Sequence, residues 1–463
     1  MRSDSVRPST SDVATTAPAP GALDGALIAL GCLGVLLALG QDTLYGDAQN
    51  VLHKILALDL ATDRHQLAIP LLAACGRILQ TLGLSLAESV TAASAIGTAI
   101  GVWFLHAGCR AYGLRRAEAA LATLVATATP PVIFLGTVVE YHGLYHAFSQ
   151  FAFLCAAKLV RKPTGRGAVG FGLSATLATL VHSSGVCLGF AYAAWFLGEA
   201  LAARVRTRRA IALAALAVGT HAAGFVAGMA VSRLWTVSPF VPLGLDWVLE
   251  TLALLPRTIW SEWFVAFAPL SVVAFAVAVR RPARLPLLGW SAGLAAYLLL
   301  CVVTLAIADF GAYLVPLASP AAVLAACFLP RALQVLTIVA GTAIGVHAVI
   351  DHDRSGDAYA SYVDGVRAAG GDGEKFLLIA GWMLGTLDPD SGDVDEVGAC
   401  LVAGPGLRYY DLTLPAREDP ELLRPAAKLL AGAIAQIAGP RATILLSAQS
   451  VRLLEDAARC RSG

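Results

Sequence analysis

Apolar runs of about 20 residues, the length of a helix that crosses a bilayer, recur along this chain, and every second gap between them is filled with arginine or lysine. The runs lie near residues 22–40, 87–109, 117–136, 141–160, 167–184, 185–203, 210–232, 262–279, 285–308, 311–329 and 332–350. Arg2 and Arg7 precede the first run, and Arg110, Arg115 and Arg116 follow the second. Lys158, Arg161, Lys162 and Arg166 separate the fourth from the fifth, and Arg204, Arg206, Arg208 and Arg209 the sixth from the seventh. Arg280, Arg281 and Arg284 separate the eighth from the ninth, and Arg331 the tenth from the eleventh. Basic loops stay on the cytoplasmic side of a membrane. The pattern therefore predicts about eleven transmembrane helices in the cell membrane, a cytoplasmic amino terminus and an extracytoplasmic carboxyl terminus.

Composition agrees with a bilayer as the solvent. Charged residues are 14% and hydrophobic ones 57% of the 463 residues, with a mean hydropathy of +0.70, whereas a soluble domain carries about 25% charged residues. The 33 basic side chains nearly cancel the 32 acidic ones, for a net +1, which gives nucleic acid nothing to bind. A membrane β-barrel is excluded because its strands alternate apolar and polar residues. The nine cysteines contain no C-x-x-C pair and read as small core residues rather than a zinc site or disulfide framework. Residues 1–21, rich in Ser, Thr, Pro and Ala, read as a disordered cytoplasmic tail. Nothing after residue 25 resembles a cleavage site, so the first apolar run is expected to be retained.

The remaining connections face outward: 41–86, 137–142, a turn around His182, 233–261, 309–311 and everything after 351. Reading 67–86 as a twelfth span would invert every later basic loop, so 51–83 reads as two helices along the outer interface. The first has Leu52, Ile55 and Leu56 as an apolar stripe beside Lys54 and Asp59. The tail is acid-rich, with short apolar runs at 376–380, 398–402 and 443–446, and a helix-like stretch at 420–437 that ends at Gly439-Pro440. The expected fold is thus an all-α polytopic membrane domain over 22–350, with an outer-face loop at 41–86, followed by a small α/β soluble domain over 351–463. No internal repeat of the kind common in transporters is apparent.

Several polar groups stand at the outer ends of these spans. Asp42 and Asp47 follow the first; a carboxylate there can accept a proton from a hydroxyl or hold a divalent metal, and equally one of the two can cap the next helix. Glu140 follows Pro130-Pro131 and precedes His142 and His146, which share a helical face. Ionisable groups at that depth are costly without a partner or a wet cavity, so they read either as a second acid with a metal or phosphate site, or as interfacial packing. His182-Ser183-Ser184-Gly185 can hold a phosphate or be a satisfied turn. The loop from Arg233 to Ser261 carries Arg233 and Arg257 together with Trp235, Trp247 and Trp260, either an interfacial belt or a wall that guides a lipid-linked substrate with an arginine on its phosphate. Walker A, G-x-G-x-x-G, G-x-S-x-G and H-E-x-x-H motifs are missing from the sequence, which leaves nucleotide-driven pumps, soluble-type hydrolases and zincins unsupported.

Four stretches resemble the integral-membrane, polyprenyl-linked-sugar glycosyltransferases of the GT-C type, which include protein mannosyltransferases and aminoarabinose transferases. Tyr45-Gly46-Asp47-Ala48 resembles the family's outer-loop Asp segment, and the apolar stretch from His65 to Leu72 its His-Pro segment, with Gln66 in place of the adjacent proline. Glu140 falls where the family carries its second acid, before a Phe-rich helix at 148–153. The stretch from Asp309 to Leu317 is similar to a Tyr-Leu-x-Pro-Leu segment of a late span. The family often has Lys or Arg where this chain has His182, and Arg where it has Ala312.

The resemblance implies a membrane glycosyltransferase that moves a sugar from a polyprenyl-phosphate donor to an envelope glycan, lipid or protein acceptor on the outer face. Asp47 and Glu140 are the implied catalytic acids; Asp42, His65, His142, His182, Arg233 and Arg257 are the expected substrate and phosphate contacts. The sequence requires no cofactor, and some relatives use a divalent metal while others do not. The alternative is a transporter or flippase for an amphiphilic solute, with the acids as proton or cation sites. The sidedness is open to direct test: in a cysteine-free background, one cysteine placed in the tail is expected to react with a membrane-impermeant thiol reagent on intact cells. Reaction only after permeabilisation would mean that a span has been miscounted.

Overall fold

The computed structural model describes residues 22–41, 48–57, 66–233, scattered positions between 315 and 327, 329–368, and three strands in the tail. The expected amino-terminal tail, the spans at 262–279 and 285–308 and more than half of that at 311–329 lie outside the described residues. The chain divides into two compact units, Met1–Gln41 with Asn50–Val349, and Asp42–Gln49 with Ile350–Gly463.

The described part is mostly helical: α1 Ala22–Ala38, α2 Ala48–Ala57, α3 Ala68–Gln80, α4 Leu86–Tyr112, α5 Arg116–Thr127, α6 Pro130–Leu135, α7 His142–Arg161, α8 Gly165–Val181, α9 Gly185–Ala202, α10 Thr207–Arg233 and α11 Arg331–Ala368. Three stretches, Leu86–Tyr112, Thr207–Val231 and Arg331–Asp353, are long and apolar enough to cross a membrane. Large apolar side chains stand on the outside, among them Leu23, Leu30, Val226 and Leu336, each at least 61% exposed. Inside are Ser94, Thr98, His106, Thr123, Ser149, Gln150, Thr176 and His221, all buried. Apolar outside and polar within is the arrangement of a helix bundle in lipid. Two helices, α2 and α3, occupy the stretch at 51–83. The 13 residues of α3 reach only about 20 Å, short of a bilayer core.

Local chemistry sets the helix ends. Ser85 opens α4 with a capping box: Glu88 N–H donates to Ser85 Oγ at 3.3 Å and Ser85 N–H to Glu88 Oε2 at 2.7 Å. Gly113 closes it in the left-handed region, at φ 114°. Thr164 caps α8 by accepting from the Gly167 N–H at 3.1 Å. The single helix expected over 117–136 is instead two, α5 and α6, broken at 128–129. Pro130 and Pro131 have no N–H for the carbonyls of the preceding turn, and their rings clash with it, so the helix restarts there with proline in its first turn. After α6 the chain runs irregularly through 136–141; this segment, expected as an outer loop, is buried throughout.

Small residues bring the helices together. A Cβ on Gly97 of α4 would come within 2.8 Å of the Gly143 backbone of α7, while Gly101 lies against the His146 ring and Gly108 against Phe153. The contacts advance together along both helices, so α4 and α7 run parallel. The same holds for α8 and α10, where Gly172 meets Ala217, Thr176 meets Gly224 and Leu180 meets Gly228. Gly341 and Gly345 of α11 climb along Ala128 and Ile133, whereas α1 runs antiparallel to α4, with Gly25 at His106 and Gly40 at Thr91. Three Gly-x-x-x-Gly pairs, 97/101, 224/228 and 341/345, make these close approaches. Lipid tails are as apolar as leucine, so such packing, and not water exclusion, is what holds helices together in a membrane.

The packing collects the basic connections at one end of the bundle. Arg116, at the start of α5, pairs with Asp24 in the first turn of α1, Nη2 to Oδ1 at 2.6 Å. Arg209 Nη2 donates to the Pro163 carbonyl at 3.0 Å. The Arg161 Nη1 lies 3.6 Å from where a Gly113 Cβ would stand. Nearby, Tyr112 donates to Glu199 at 2.8 Å.

In the second unit, β1 Lys375–Ile379 lies between β2 Leu407–Asp411 and β3 Thr443–Leu446, and both pairings are parallel. Lys375 registers with Leu407 on one side and Thr443 on the other. The boundary expected at 350 falls inside α11, a single helix of 38 residues. Packing gives a prediction. Gly97→Leu should destabilise the detergent-solubilised protein by about 1–3 kcal/mol through overpacking, while Gly31→Leu, with nothing within 4 Å of its Cβ position, should leave the thermal midpoint almost unchanged.

Candidate functional site

At the end of the bundle away from the arginines, five separate segments meet. The backbone N–H of Gln41, just past α1, donates to the Thr137 carbonyl at 2.9 Å, and its side chain donates to Thr137 Oγ1 at 2.6 Å. Leu67, just before α3, donates to the Leu180 carbonyl at 2.9 Å. Gln66 Oε1 stands 3.3 Å from the position of a Cβ on Gly228, near the end of α10. The irregular segment 136–141 and the turn between α8 and α9 complete the group. Irregular backbone is tolerated at membrane depth only where protein or a wet cavity surrounds it, which is why 137–141 is tied down from α1.

This segment delivers Glu140 to the interior, 2% exposed. Its Oε2 accepts from the Tyr141 N–H at 3.1 Å and stands 3.3 Å from His142 Nδ1, itself 2% exposed. A carboxylate out of water is costly unless it is paired, and the imidazole at the start of α7 is placed to pair with it. The His142 ring lies 5.2 Å from that of His182, and Tyr141 lies 4.8 Å from His142 and 5.6 Å from His182. On the other side His182 packs against Tyr145 at 4.6 Å. Its Nδ1 is 2.6 Å from Ser184 Oγ, which is hydrogen-bonded to the Tyr145 hydroxyl at 2.8 Å. The tight turn depends on Gly185, whose Cβ would stand 2.6 Å from the Ala178–Thr179 backbone of α8. The close approach expected at this glycine is therefore made by the protein's own helix.

Three of the expected site residues, Glu140, His142 and His182, are thus brought into one buried cluster from two distant parts of the sequence. His146, paired with His142 by its spacing, faces elsewhere: its ring packs on Gly101 of α4, and Gln150 Nε2 lies 3.5 Å from its Nδ1. Asp42, Asp47, His65 and Arg257 lie outside the described residues. Arg233 is the last residue of α10, with only its backbone described. Among the described residues no three His, Cys, Asp or Glu side chains gather as a metal site would require.

Tyr145 stands between His142 and His146 and Ser184 in the His182 turn, and neither carries a mark of its own in the sequence. The available signal was a hydroxyl within two residues of a histidine at a helix-helix turn, and a tyrosine one turn into the next polar helix. The cluster joins a carboxylate, two imidazoles and two tyrosines without bulk water, a set able to pass protons and to bind an anion or a sugar hydroxyl. Comparison with known protein families, curated proteins and solved structures finds no match to this chain.

The Gln41–Thr137 contact carries a prediction. In a double-mutant cycle, Gln41→Ala and Thr137→Val should each lower stability by about 1–3 kcal/mol, and the two losses should not add, because each leaves the same buried bond broken. Denaturant unfolding of the four proteins in detergent measures the coupling.

Proposed function

We propose that this chain is an integral-membrane glycosyltransferase of the GT-C type, transferring a sugar from a polyprenyl-phosphate donor to an acceptor at the outer membrane face. The observation that carries this reading is the buried cluster of Glu140, His142, His182 and Tyr145 at the end of the bundle away from the clustered arginines. Basic ends are cytoplasmic, so a cluster at the other end suits chemistry on the outer face. Some eleven spans, a cytoplasmic amino terminus in the cell membrane and an outer α/β domain over 351–463 belong to the same proposal. An envelope glycan, lipid or protein is the acceptor.

Chain connectivity supports the roles of residues near the cluster. Gln41 is bonded to Thr137, and Asp42 and Asp47 follow Gln41 closely in the sequence. His65 directly precedes Gln66. In the reaction, Asp47 accepts the proton of the acceptor hydroxyl as its oxygen attacks the anomeric carbon. The bond from that carbon to the phosphate oxygen breaks, the configuration inverts, and the electron pair leaves with the polyprenyl phosphate. Glu140, held by His142, orients the acceptor; His182, Arg233 and Arg257 balance the charge that grows on the departing phosphate, and Asp42 and His65 are further substrate contacts in this reading. The donor brings its own activation, so the reaction needs no nucleotide.

The decisive variant is Asp47→Asn. It keeps the shape and can still cap a helix but cannot accept a proton, so turnover should fall about 10²- to 10⁴-fold with expression intact. Asp42→Asn should be much milder. In vesicles supplied with a radiolabelled lipid phosphosugar, near-wild-type turnover by Asp47→Asn would remove Asp47 as the base.

A further inference from the structure

The basic end of the bundle holds more positive charge than the protein neutralises. Four cations lie between Lys158 and Arg166, where α7 ends and α8 begins, and four between Arg204 and Arg209, where α9 ends and α10 begins; all eight are exposed. Arg209, on the Pro163 carbonyl at 3.0 Å, joins the two connections into one surface. The described acids of this end are engaged elsewhere: Asp24 with Arg116, Glu118 with Arg115, and Glu199 with the Tyr112 hydroxyl and the Trp195 indole. Among the described residues none of the eight cations makes an ion pair. Both α8 and α10 begin here with no acid in the first turn, where a carboxylate would answer the cations and the positive end of the helix dipole together.

One of these cations is kept at a cost. Arg204 is the one non-glycine residue in the left-handed region among the described residues, at φ 58°. It closes α9: its N–H donates to the Leu201 carbonyl at 3.0 Å, and the Val205 N–H to the Ala200 carbonyl at 2.9 Å. Glycine usually takes this place, because a Cβ there crowds the backbone. An arginine serves the turn worse than glycine would. Directly beside the cations the surface becomes apolar, with Val169 and Leu173 of α8 and Ile211 and Leu216 of α10 exposed. The Leu216 side chain lies 3.9 Å from where a Cβ on Gly165 would stand, so the seam between the two parallel helices starts at the charged connections. Gly170 and Gly219 have nothing within 4 Å of that position.

We infer that this surface binds an anionic phospholipid, its phosphate on the arginines of the two connections and an acyl chain along the exposed sides of α8 and α10. A soluble anion would use the charge alone, and a zwitterionic lipid chiefly the apolar side chains; an anionic lipid uses both. Basic clusters beside membrane-crossing helices attract such headgroups, and arginine grips phosphate through paired N–H donors. On the sidedness proposed above, the lipid belongs to the cytoplasmic leaflet, whose surface is negative. The inference concerns the end of the bundle opposite the Glu140 cluster and does not rest on the sugar-transfer reading.

The test titrates the full chain, freed of lipid in a non-ionic detergent, with dioleoyl phosphatidylglycerol or dioleoyl phosphatidylcholine and counts bound lipid by native mass spectrometry. Wild type should retain the anionic lipid in preference, with affinity falling as salt rises. Arg204→Gly should weaken retention about fivefold, and Arg204→Gln, Arg206→Gln and Arg208→Gln combined about a hundredfold, at roughly fivefold per basic side chain near a membrane surface. Arg115→Gln, which removes an arginine already paired with Glu118, should leave retention unchanged. Without lipid, Arg204→Gly should show a thermal midpoint equal to or above that of wild type, since glycine suits the turn. A lower midpoint would make Arg204 a part of the turn and overturn its role in binding. Equal retention of the two lipids, or no loss in the triple variant, would overturn the inference as a whole. An equal loss in Arg115→Gln would reduce the effect to net charge and overturn the site. Displacement of the lipid by an equimolar amount of glycerol phosphate would overturn the lipid as the occupant.

Discussion

The close approach of α4 and α7 through glycine is the contact on which the described bundle depends. With Gly97 against Gly143 and Gly101 against His146, the two backbones meet with almost no side chain between them. In lipid this is what helices can gain from one another, since burying leucine against leucine offers little over burying it against acyl chains. The contact also determines depth. It sets the first turn of α7, and with it His142, beside Ser94 and Gly97, more than two turns into α4, while Ser94 Oγ donates to the Leu135 carbonyl at 3.1 Å and ties the end of α6 to the same level.

From that placement the polar cluster follows. The segment between α6 and α7 has nowhere to go but inward, because both of its ends are pinned: Leu135 to Ser94 and Thr137 to Gln41 at one end, and Gly143 against Ser94 at the other. Glu140 is carried in with it and meets His142. The α8–α9 turn arrives from the second glycine-packed set, in which α8 and α10 run parallel, and brings His182 and Ser184 to Tyr145. Two independent helix-packing units thus supply the two halves of one buried site. The cost of keeping a carboxylate and histidines out of water is met by their mutual contacts and argues for a role beyond packing.

The deep histidines show the other use of polar groups in such a bundle. His221 of α10 lies against Gly189 of α9, with Nε2 3.2 Å from the Val186 carbonyl and Nδ1 3.5 Å from Thr176 Oγ1 of α8. It ties three helices at once. His106 packs at Gly25 between α4 and α1. These residues carry no distinguishing mark in the sequence, since a lone histidine in an apolar run looks the same whether it joins helices or serves a ligand.

Hydropathy and the placement of arginine were enough, without coordinates, to reveal a helical membrane protein, the ends of α4, α7, α8, α9 and α10 to within a few residues, and the gathering of basic connections at one end. Those features follow from transfer energies and helix length, which are local and additive along the chain. Glu140, His142 and His182 could be singled out for the same reason, because ionisable residues beside apolar runs stand out by their cost. What the tertiary structure decided was their company. Which histidine pairs with Glu140, that His146 turns to α4 instead, that 137–141 is buried, and that Tyr145 and Ser184 lie against His182 all depend on which helices pack in parallel. That choice is made by backbone approach at a few glycines distant in sequence, and such long-range complementarity leaves no periodic trace in the chain.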